Sequence, residues 1–165
     1  MRVMGVDPGT LQMGYGVVEE AGGAVMALGW GVLTARRGLA LGERLHLLHR
    51  QLLALLERWS PTEIAVEEPF VARNVPAAMA VGQAQGVALM AAAARGIPVA
   101  RYSPARVKNA VTGYGGSGKM QVQEAVRLYL GLDLPPDPED AADGLAVALC
   151  HLQARVAASL SSGKK

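Results

Sequence analysis

The sequence predicts a single α/β domain built on a mixed five-stranded sheet that is flanked by helices. Three short apolar segments open the chain, at residues 1–7, 14–20 and 24–35, and the gaps between them carry glycine or proline, as is typical of an antiparallel meander. Helix-like and strand-like segments then alternate, which favours parallel pairing in an α/β domain. The predicted sheet therefore has three antiparallel strands followed by two parallel strands.

The middle of the chain carries this alternation. Residues 41–59 form a predicted amphipathic helix, because leucine recurs at helical spacing, at positions 45, 48, 52, 55 and 56. The apolar segment 64–68 is a predicted buried strand, the alanine-rich segment 76–95 is a second helix, and residues 97–102 are the last strand.

The C-terminal part of the chain is predicted to be helical. Ser103 and Pro104 suit the cap and the first position of a short helix. A glycine-rich loop at 113–118, a helix at 119–131 and a last helix from about Pro138 follow. We expect one domain at residues 1–158 and a polar, disordered tail at 159–165.

Composition indicates a globular protein of a reducing compartment. Apolar residues make up 51% of the 165 residues and charged residues make up 18%, which is enough to bury a core. Cys150 is the single cysteine, so the chain has no internal disulfide. The most apolar stretch, residues 87–94, is too short to span a bilayer, and Asp7 and Pro8 come too early for a signal peptide. We therefore expect a cytoplasmic protein with no membrane association.

Carboxylates follow two of the predicted strands. Asp7 ends the first strand, at the carboxyl edge where open α/β sheets place their sites, although it also suits a turn at Pro8 and Gly9. Glu67 and Glu68 end the fourth strand and point to opposite faces of the sheet. Strand periodicity alone does not say which of the two glutamates faces a site.

A second pair of acids opens the last helix. Asp140 and Asp143 are one helical turn apart, so they share a helix face, although acids in a first turn also stabilise the helix dipole. Together with the acids at two strand ends, the pair offers the oxygen ligands that Mg²⁺ and Mn²⁺ prefer. Two such ions clamp the attacking and leaving oxygens of a phosphoryl transfer, so the pattern favours a metal-dependent nuclease.

The charge balance is compatible with a polyanionic substrate. The net charge is only +2 at pH 7, but the acids need not be spread evenly over the surface. If four of the 14 Asp and Glu residues bind metal, ten (14 minus 4) remain against 16 Lys and Arg residues, and the rest of the surface is positive. No cluster of His and Cys offers a competing zinc site, since His46, His49 and His151 do not form a ligand motif.

A glycine-rich loop resembles a nucleotide-binding motif but departs from it. Residues 113–119 fit G-x-x-x-x-G-K, yet Met120 stands where the motif needs Ser or Thr, and a predicted helix precedes the loop in place of a strand. In a second interpretation its backbone N–H groups, flanked by Lys108 and Lys119, bind a DNA phosphate. In a third it is a plain surface loop.

Two further segments have both a functional and a structural interpretation. Phe70 follows Pro69 beyond a strand end, where it either stacks on an unpaired base or packs in the core. The helix at 76–95 carries many small residues, which permit close packing against a second copy of the chain or against the sheet.

Five motifs, in order along the chain, resemble the RuvC family of Holliday-junction resolvases. They are GVDPGTLQMGYGVV, VEEPFVARN, GQAQGVAL, RVKNAVTGYGGSGKMQV and DAADGLAVALCH. The resemblance implies a ribonuclease H-like fold, a homodimer and symmetric nicking of two opposed strands in four-way junction DNA. It also implies two Mg²⁺ or Mn²⁺ ions per active site, ligatable 5′-phosphate ends, and a role in recombination and repair beside the RuvA–RuvB branch-migration complex.

The resemblance also implies roles for particular residues. The catalytic and metal-binding acids correspond to Asp7, Glu67, Asp140 and Asp143. We expect the DNA-binding set to be Phe70, Arg73, Asn74, Arg106, Lys108 and Lys119. The chain departs from the family pattern at Pro69, which is usually another residue, and at Val71, where a second aromatic is often found.

Three other functions fit parts of the sequence. Another ribonuclease H-like nuclease would use the same acids to cut RNA–DNA hybrids. A nucleotide-binding switch would use the glycine-rich loop and Lys119. A structural junction-binding protein would bind the same DNA without cleaving it.

Overall fold

The computed structural model describes residues 1–69 and 74–162 of the chain. The strands are β1 (Arg2–Asp7), β2 (Gln12–Ala21), β3 (Ala24–Thr34), β4 (Glu63–Glu67) and β5 (Val99–Tyr102). The helices are α1 (Leu41–Trp59), α2 (Val75–Ala94), α3 (Pro104–Thr112), α4 (Lys119–Leu130) and α5 (Glu139–Ser162).

One mixed sheet organises these elements, in the strand order β3-β2-β1-β4-β5. β1 pairs antiparallel with β2, and β2 with β3, whereas β4 pairs parallel with both β1 and β5. The predicted sheet, three antiparallel strands followed by two parallel strands, is therefore confirmed. Because β1 and β4 are parallel neighbours, their carboxyl ends meet at the same edge of the sheet.

Helices cover both faces of the sheet. α1 and α2 pack on one face, where Met4, Val6 and Val66 are completely buried. α3, α4 and α5 cover the other face, where Val3 and Ala65 are completely buried. Since successive side chains of a strand point to opposite faces, these residues fix which positions of β1 and β4 point toward α5.

Glycines let α5 lie directly on the centre of the sheet. A Cβ atom on Gly5 would overlap the Gly144 carbonyl, and a Cβ atom on Gly14 would overlap the Asp140 carbonyl. A larger residue at either strand position would displace the first turns of α5 from β1 and β2. The glycines therefore set where the acidic start of this helix lies.

Most element boundaries agree with the sequence prediction to within two residues. β5 begins at Val99 and not at residue 97, because the Ile97 N–H donates to the Ala92 carbonyl and so ends α2. α5 continues through Ser162, so part of the segment expected as a tail at 159–165 is helical. The domain boundary at residue 158 stays a prediction.

Among residues 1–69 and 74–162, two helical segments are long and apolar enough to span a membrane by length and composition alone, Val75–Ala94 and Glu139–Ser161. Core helices of soluble proteins meet the same criterion, and 50% of the apolar window of the second segment is buried in this fold. Its buried residues, among them Leu145 and Leu149, pack against the sheet. Core packing therefore accounts for the apolar composition of α5.

Candidate active site

Three carboxylates meet at the carboxyl end of β1. Asp7 is the last residue of this strand, and the alternation that buries Val3 under α5 points Asp7 toward the same helix. Asp140 and Asp143 lie in the first turns of α5. Oxygen atoms of these three acids lie within 4.8 Å of one another, a spacing suited to a shared cation. The structure thus brings together three of the four predicted acids.

The fourth predicted acid, Glu67, ends β4 beside this group. Glu67 shares a strand face with Ala65, which is buried under α5, whereas Glu68 lies beyond the strand with its carboxylate 3.8 Å from Arg101. Among the described residues Glu67 is not one of the acids within 4.8 Å, but its charge acts on Asp7. The tertiary structure therefore favours Glu67 over Glu68, a choice that the strand pattern leaves open.

Burial and mutual repulsion raise the pKa values of Asp7, Glu67 and Asp143. Burial, and then the charges of Glu67, Asp143 and Asp140, raise the pKa of Asp7 from 3.8 to about 8. Burial and the charge of Asp143 raise the pKa of Glu67 from 4.5 to about 7. The pKa of Asp143 is also raised, chiefly by burial. Raised pKa values at three neighbouring acids fit a divalent cation, because a cation stabilises the ionised forms and displaces their protons.

Lys119 contacts the acids from the start of α4. Its Nζ lies 3.6 Å from Glu139 Oε2, 3.8 Å from Asp140 Oδ1 and 3.9 Å from Asp143 Oδ2. Partial burial acts to lower the pKa of Lys119, but these three acids together raise it. Its side chain is still 60% exposed. The predicted DNA contact is thus a cation at the edge of the acidic site that solvent, and hence a phosphate, can reach.

Two further basic residues of the predicted set, Arg106 and Lys108, lie on α3. The charge of Lys108 opposes the burial that raises the pKa of Glu67 and of Asp143, so its ammonium group lies near both acids. Arg106 is exposed, and its guanidinium carbon lies 4.9 Å from the centre of the Tyr102 ring.

A cleft of about 260 Å³ opens beside Asp7 and Glu67. The start of α2 forms one wall, where the Asn74 side chain accepts a hydrogen bond from the Ala77 N–H and caps the helix. Asn74, predicted as a DNA contact, therefore also has a structural role at this cleft. Phe70 and Arg73, the other predicted contacts of this segment, lie outside the residues that the structure describes.

A family model for the crossover junction endodeoxyribonuclease RuvC matches residues 3–151. The chain belongs to the RuvC family. Relatives of that name include one from Chloroflexus aggregans, 54% identical over 92% of each chain, and one from Thermomicrobium roseum, 51% identical over 97% of this chain and 98% of the relative. The solved structure of T. thermophilus RuvC in complex with a Holliday junction substrate has a TM-score of 0.86 and 39% identity, over 95% of this chain and 96% of that one. The predicted ribonuclease H-like fold is confirmed.

The glycine-rich loop of this RuvC-family chain lacks the setting of a nucleotide-binding loop. It joins α3 to α4, whereas the nucleotide motif requires a strand before the loop. The hydroxyls of Thr112 and Ser117 lie 2.8 Å apart, and each lies within 3.0 Å of the Tyr114 carbonyl oxygen. The loop is therefore held by its own side chains, between Lys108 and Lys119.

Sequence reasoning missed a buried polar chain on the α5 side of the sheet. The Tyr102 hydroxyl lies 2.7 Å from His151 Nδ1, and His151 Nε2 lies 2.7 Å from Glu63 Oε2. His151, which has no other histidine near it in the sequence, is only 3% exposed. The available signal was spacing, because His151 lies about three turns after Asp140 on the same helix face.

Proposed function

We propose that this chain is a Holliday-junction resolvase, which nicks two opposed strands of a four-way DNA junction by metal-dependent hydrolysis. The observation that carries the proposal is the cluster of Asp7, Asp140 and Asp143, with Glu67 beside it, in a chain of the RuvC family. The curated relatives are named crossover junction endodeoxyribonucleases, and the solved relative is bound to a junction.

The four acids are the residues that would hold two Mg²⁺ or Mn²⁺ ions. Such ions, when bound, supply Lewis acidity to the attacking water and to the leaving 3′ oxygen of a phosphodiester. The chain contributes a fixed arrangement of carboxylates from β1, β4 and α5. Their partial burial strengthens the attraction for a cation, because water screens the charges less. Scission at the 3′ oxygen leaves 5′-phosphate and 3′-hydroxyl ends that a ligase can seal.

Basic residues around the acids would hold the DNA backbone. Lys119 contacts the acids directly while most of its side chain stays exposed, and Lys108 lies close to the same site. Arg106 and Arg73 extend this set, and Asn74 lies at the cleft beside Glu67. In this proposal Phe70 stacks on an unpaired base at the centre of the junction.

A dimer would place two such sites on the two equivalent strands of a junction, because both have two-fold symmetry. The exposed face of α2 supports a dimer surface there, since Val75 is 53% exposed and Met79 and Met90 are each 63% exposed. A groove of about 440 Å³ between α1 and α2 continues this surface. We expect the homodimer to act in the cytoplasm, beside a RuvA–RuvB branch-migration complex.

The deciding experiment compares cleavage of a four-way DNA junction with cleavage of an RNA–DNA hybrid, with Mn²⁺ or Mg²⁺ present. We expect paired nicks at symmetric positions of the junction, with products that ligase seals, and no cleavage of the hybrid. Cleavage of the hybrid alone would overturn the proposal in favour of another ribonuclease H-like nuclease. Binding of the junction without cleavage would overturn it in favour of a structural protein.

A further inference from the structure

The helix α5 contacts the strand β4 at two chemically different sites, the first at Glu67 and the second at Glu63. Glu63 and Glu67 lie on the same face of β4, and α5 crosses both of them. At Glu67 the helix presents the charge of Asp143, and at Glu63 it presents the ring of His151. Like charges meet at the first site, and a hydrogen-bonded pair forms at the second.

The second site belongs to a buried chain of hydrogen bonds. His151 Nε2 lies 2.7 Å from Glu63 Oε2, and because a carboxylate only accepts hydrogen bonds, Nε2 carries the proton. The Tyr102 hydroxyl lies 2.7 Å from Nδ1 and forms the second hydrogen bond of the ring. Arg155 Nε, 3.5 Å from Glu63 Oε1, adds a cation at the solvent side. The chain therefore ties α5 to both β4 and β5.

The first site has repulsion where the second has attraction. Oxygen atoms of Asp7, Asp140 and Asp143 lie within 4.8 Å of one another, and the exposed Lys119 and the nearby Lys108 offset only part of this charge. From the first site toward the second, α5 lies on glycines of β1 and β2 at Asp140, Gly144 and Ala148, so the helix rests on the sheet as one rigid element. Loss of the hydrogen bonds at His151 would let α5 shift on these glycines and would move its acids, because a continuous helix transmits the displacement along its length.

We propose that the Tyr102–His151–Glu63 chain is a positioning device for the metal-binding acids. It holds α5 against β4, so that the acids of the helix keep their places near Asp7 before any cation is bound. His151 acts through the helix, since its ring is buried between α5 and the strands. The proposal rests on the metal-dependent activity proposed above and adds the residues that pre-organise the site.

The test measures Mn²⁺ binding to the full chain without DNA, by the electron paramagnetic resonance of the free ion. His151→Leu removes both hydrogen bonds of the ring, and we expect its Mn²⁺ dissociation constant to rise about tenfold. Excess Mn²⁺ should then restore junction cleavage. Tyr102→Phe removes only the hydroxyl and should change the dissociation constant in the same direction by less. If His151→Leu does not fold, Tyr102→Phe decides.

Leu52→Ala is the matched control for stability. Leu52 is 1% exposed in the core on the other face of the sheet, so its truncation lowers Tm without touching α5. We expect its Mn²⁺ dissociation constant to equal that of the wild type.

Two outcomes separate this proposal from the proposed function. If His151→Leu and Tyr102→Phe lower Tm but bind Mn²⁺ as the wild type does, the chain is structural and the positioning role is overturned. If the wild type binds Mn²⁺ but cuts no junction, the resolvase proposal fails, while the comparison of dissociation constants still decides the positioning role.

Discussion

Two glutamates on one face of β4 have opposite surroundings. Glu67 lies beside other acids, and burial together with the charge of Asp143 raises its pKa to about 7. Glu63 accepts a hydrogen bond from His151 and lies 3.5 Å from the Arg155 side chain. Because the strand points both glutamates the same way, the residues that α5 places over them decide the difference.

The comparison of Glu63 with Glu67 indicates where a carboxylate stabilises the fold and where it does not. At Glu63 a buried chain of partners offsets the burial of the charge. At Glu67 and Asp7 burial and like charges both oppose ionisation, which is a destabilising arrangement unless a cation binds. A bound cation would offset the repulsion at the acidic end of α5, whereas at the histidine end partners within the fold offset the burial of Glu63.

The largest expected effect is the loss of cleavage at the acidic end. Asp7→Asn, Glu67→Gln and Asp143→Asn should each slow junction cleavage at least about a thousandfold, because each removes a charged ligand worth several kcal/mol in the transition state. Junction binding, measured by gel shift without divalent ions, should persist. Glu68→Gln should cut at nearly the wild-type rate, and an inactive Glu68→Gln beside an active Glu67→Gln would make Glu68 the catalytic glutamate in place of Glu67.

The next largest effect concerns stability. Although Asp7→Asn should abolish cleavage, it should stabilise the metal-free protein at alkaline pH. The pKa of Asp7 is about 8 in the folded chain and near 3.8 when unfolded, so the folded state binds more protons between these values. Stability from this group is complete below about pH 4 and is lost as pH rises through about 8. Each pKa unit corresponds to about 1.4 kcal/mol.

Thermal denaturation in a chelator measures this effect. We expect the Tm of Asp7→Asn to exceed that of the wild type by at least about 4 °C near pH 8 and to equal it near pH 4. Saturating Mn²⁺ at about pH 8 should reverse the order, because the wild type binds the ion more tightly. Equal Tm values at all pH values would mean that Asp7 ionises without strain in the fold.

A smaller effect on stability, a decrease, is expected at Glu63, where β4 contacts His151. Glu63→Gln removes the charge that His151 and Arg155 share, and it should lower the free energy of unfolding by about 1 kcal/mol. This corresponds to a decrease in Tm of about 2–4 °C for a chain of this size. Glu67→Gln in the same assay, without metal, should not lower Tm. A decrease of equal size in both variants would remove the distinction between the two glutamates.

The smallest effect is expected for the lysines around the site. Lys108→Gln should weaken junction binding modestly and reduce the slope of log affinity against log salt by about one, because one phosphate contact is lost. Lys119→Gln should do the same and should also change Mn²⁺ binding, since Lys119 contacts Asp140 and Asp143. Unchanged salt slopes in both variants would place the DNA elsewhere on the surface.

Local patterns in the sequence were enough to predict the elements of this fold. The leucine spacing of α1 and the apolar segments of β1 and β4 depend on neighbours along the chain, so they are readable without coordinates. The prediction that a helix, and not a strand, precedes the glycine-rich loop is also confirmed. The cap formed by Asn74 was missed, because an Asn before Val-Pro is as easily a loop residue as a helix start.

The sequence by itself determined that acids end two strands and open one helix. Only the tertiary structure decided that Asp7, Asp140 and Asp143 share one place, that Glu67 and not Glu68 faces them, and that a histidine far along α5 binds the other end of β4. The physical reason is the range of the interactions. Strand and helix periods fix the direction of a side chain within its own element, whereas its partners depend on how α5 lies on the sheet, and the glycine contacts of that packing appear only in three dimensions.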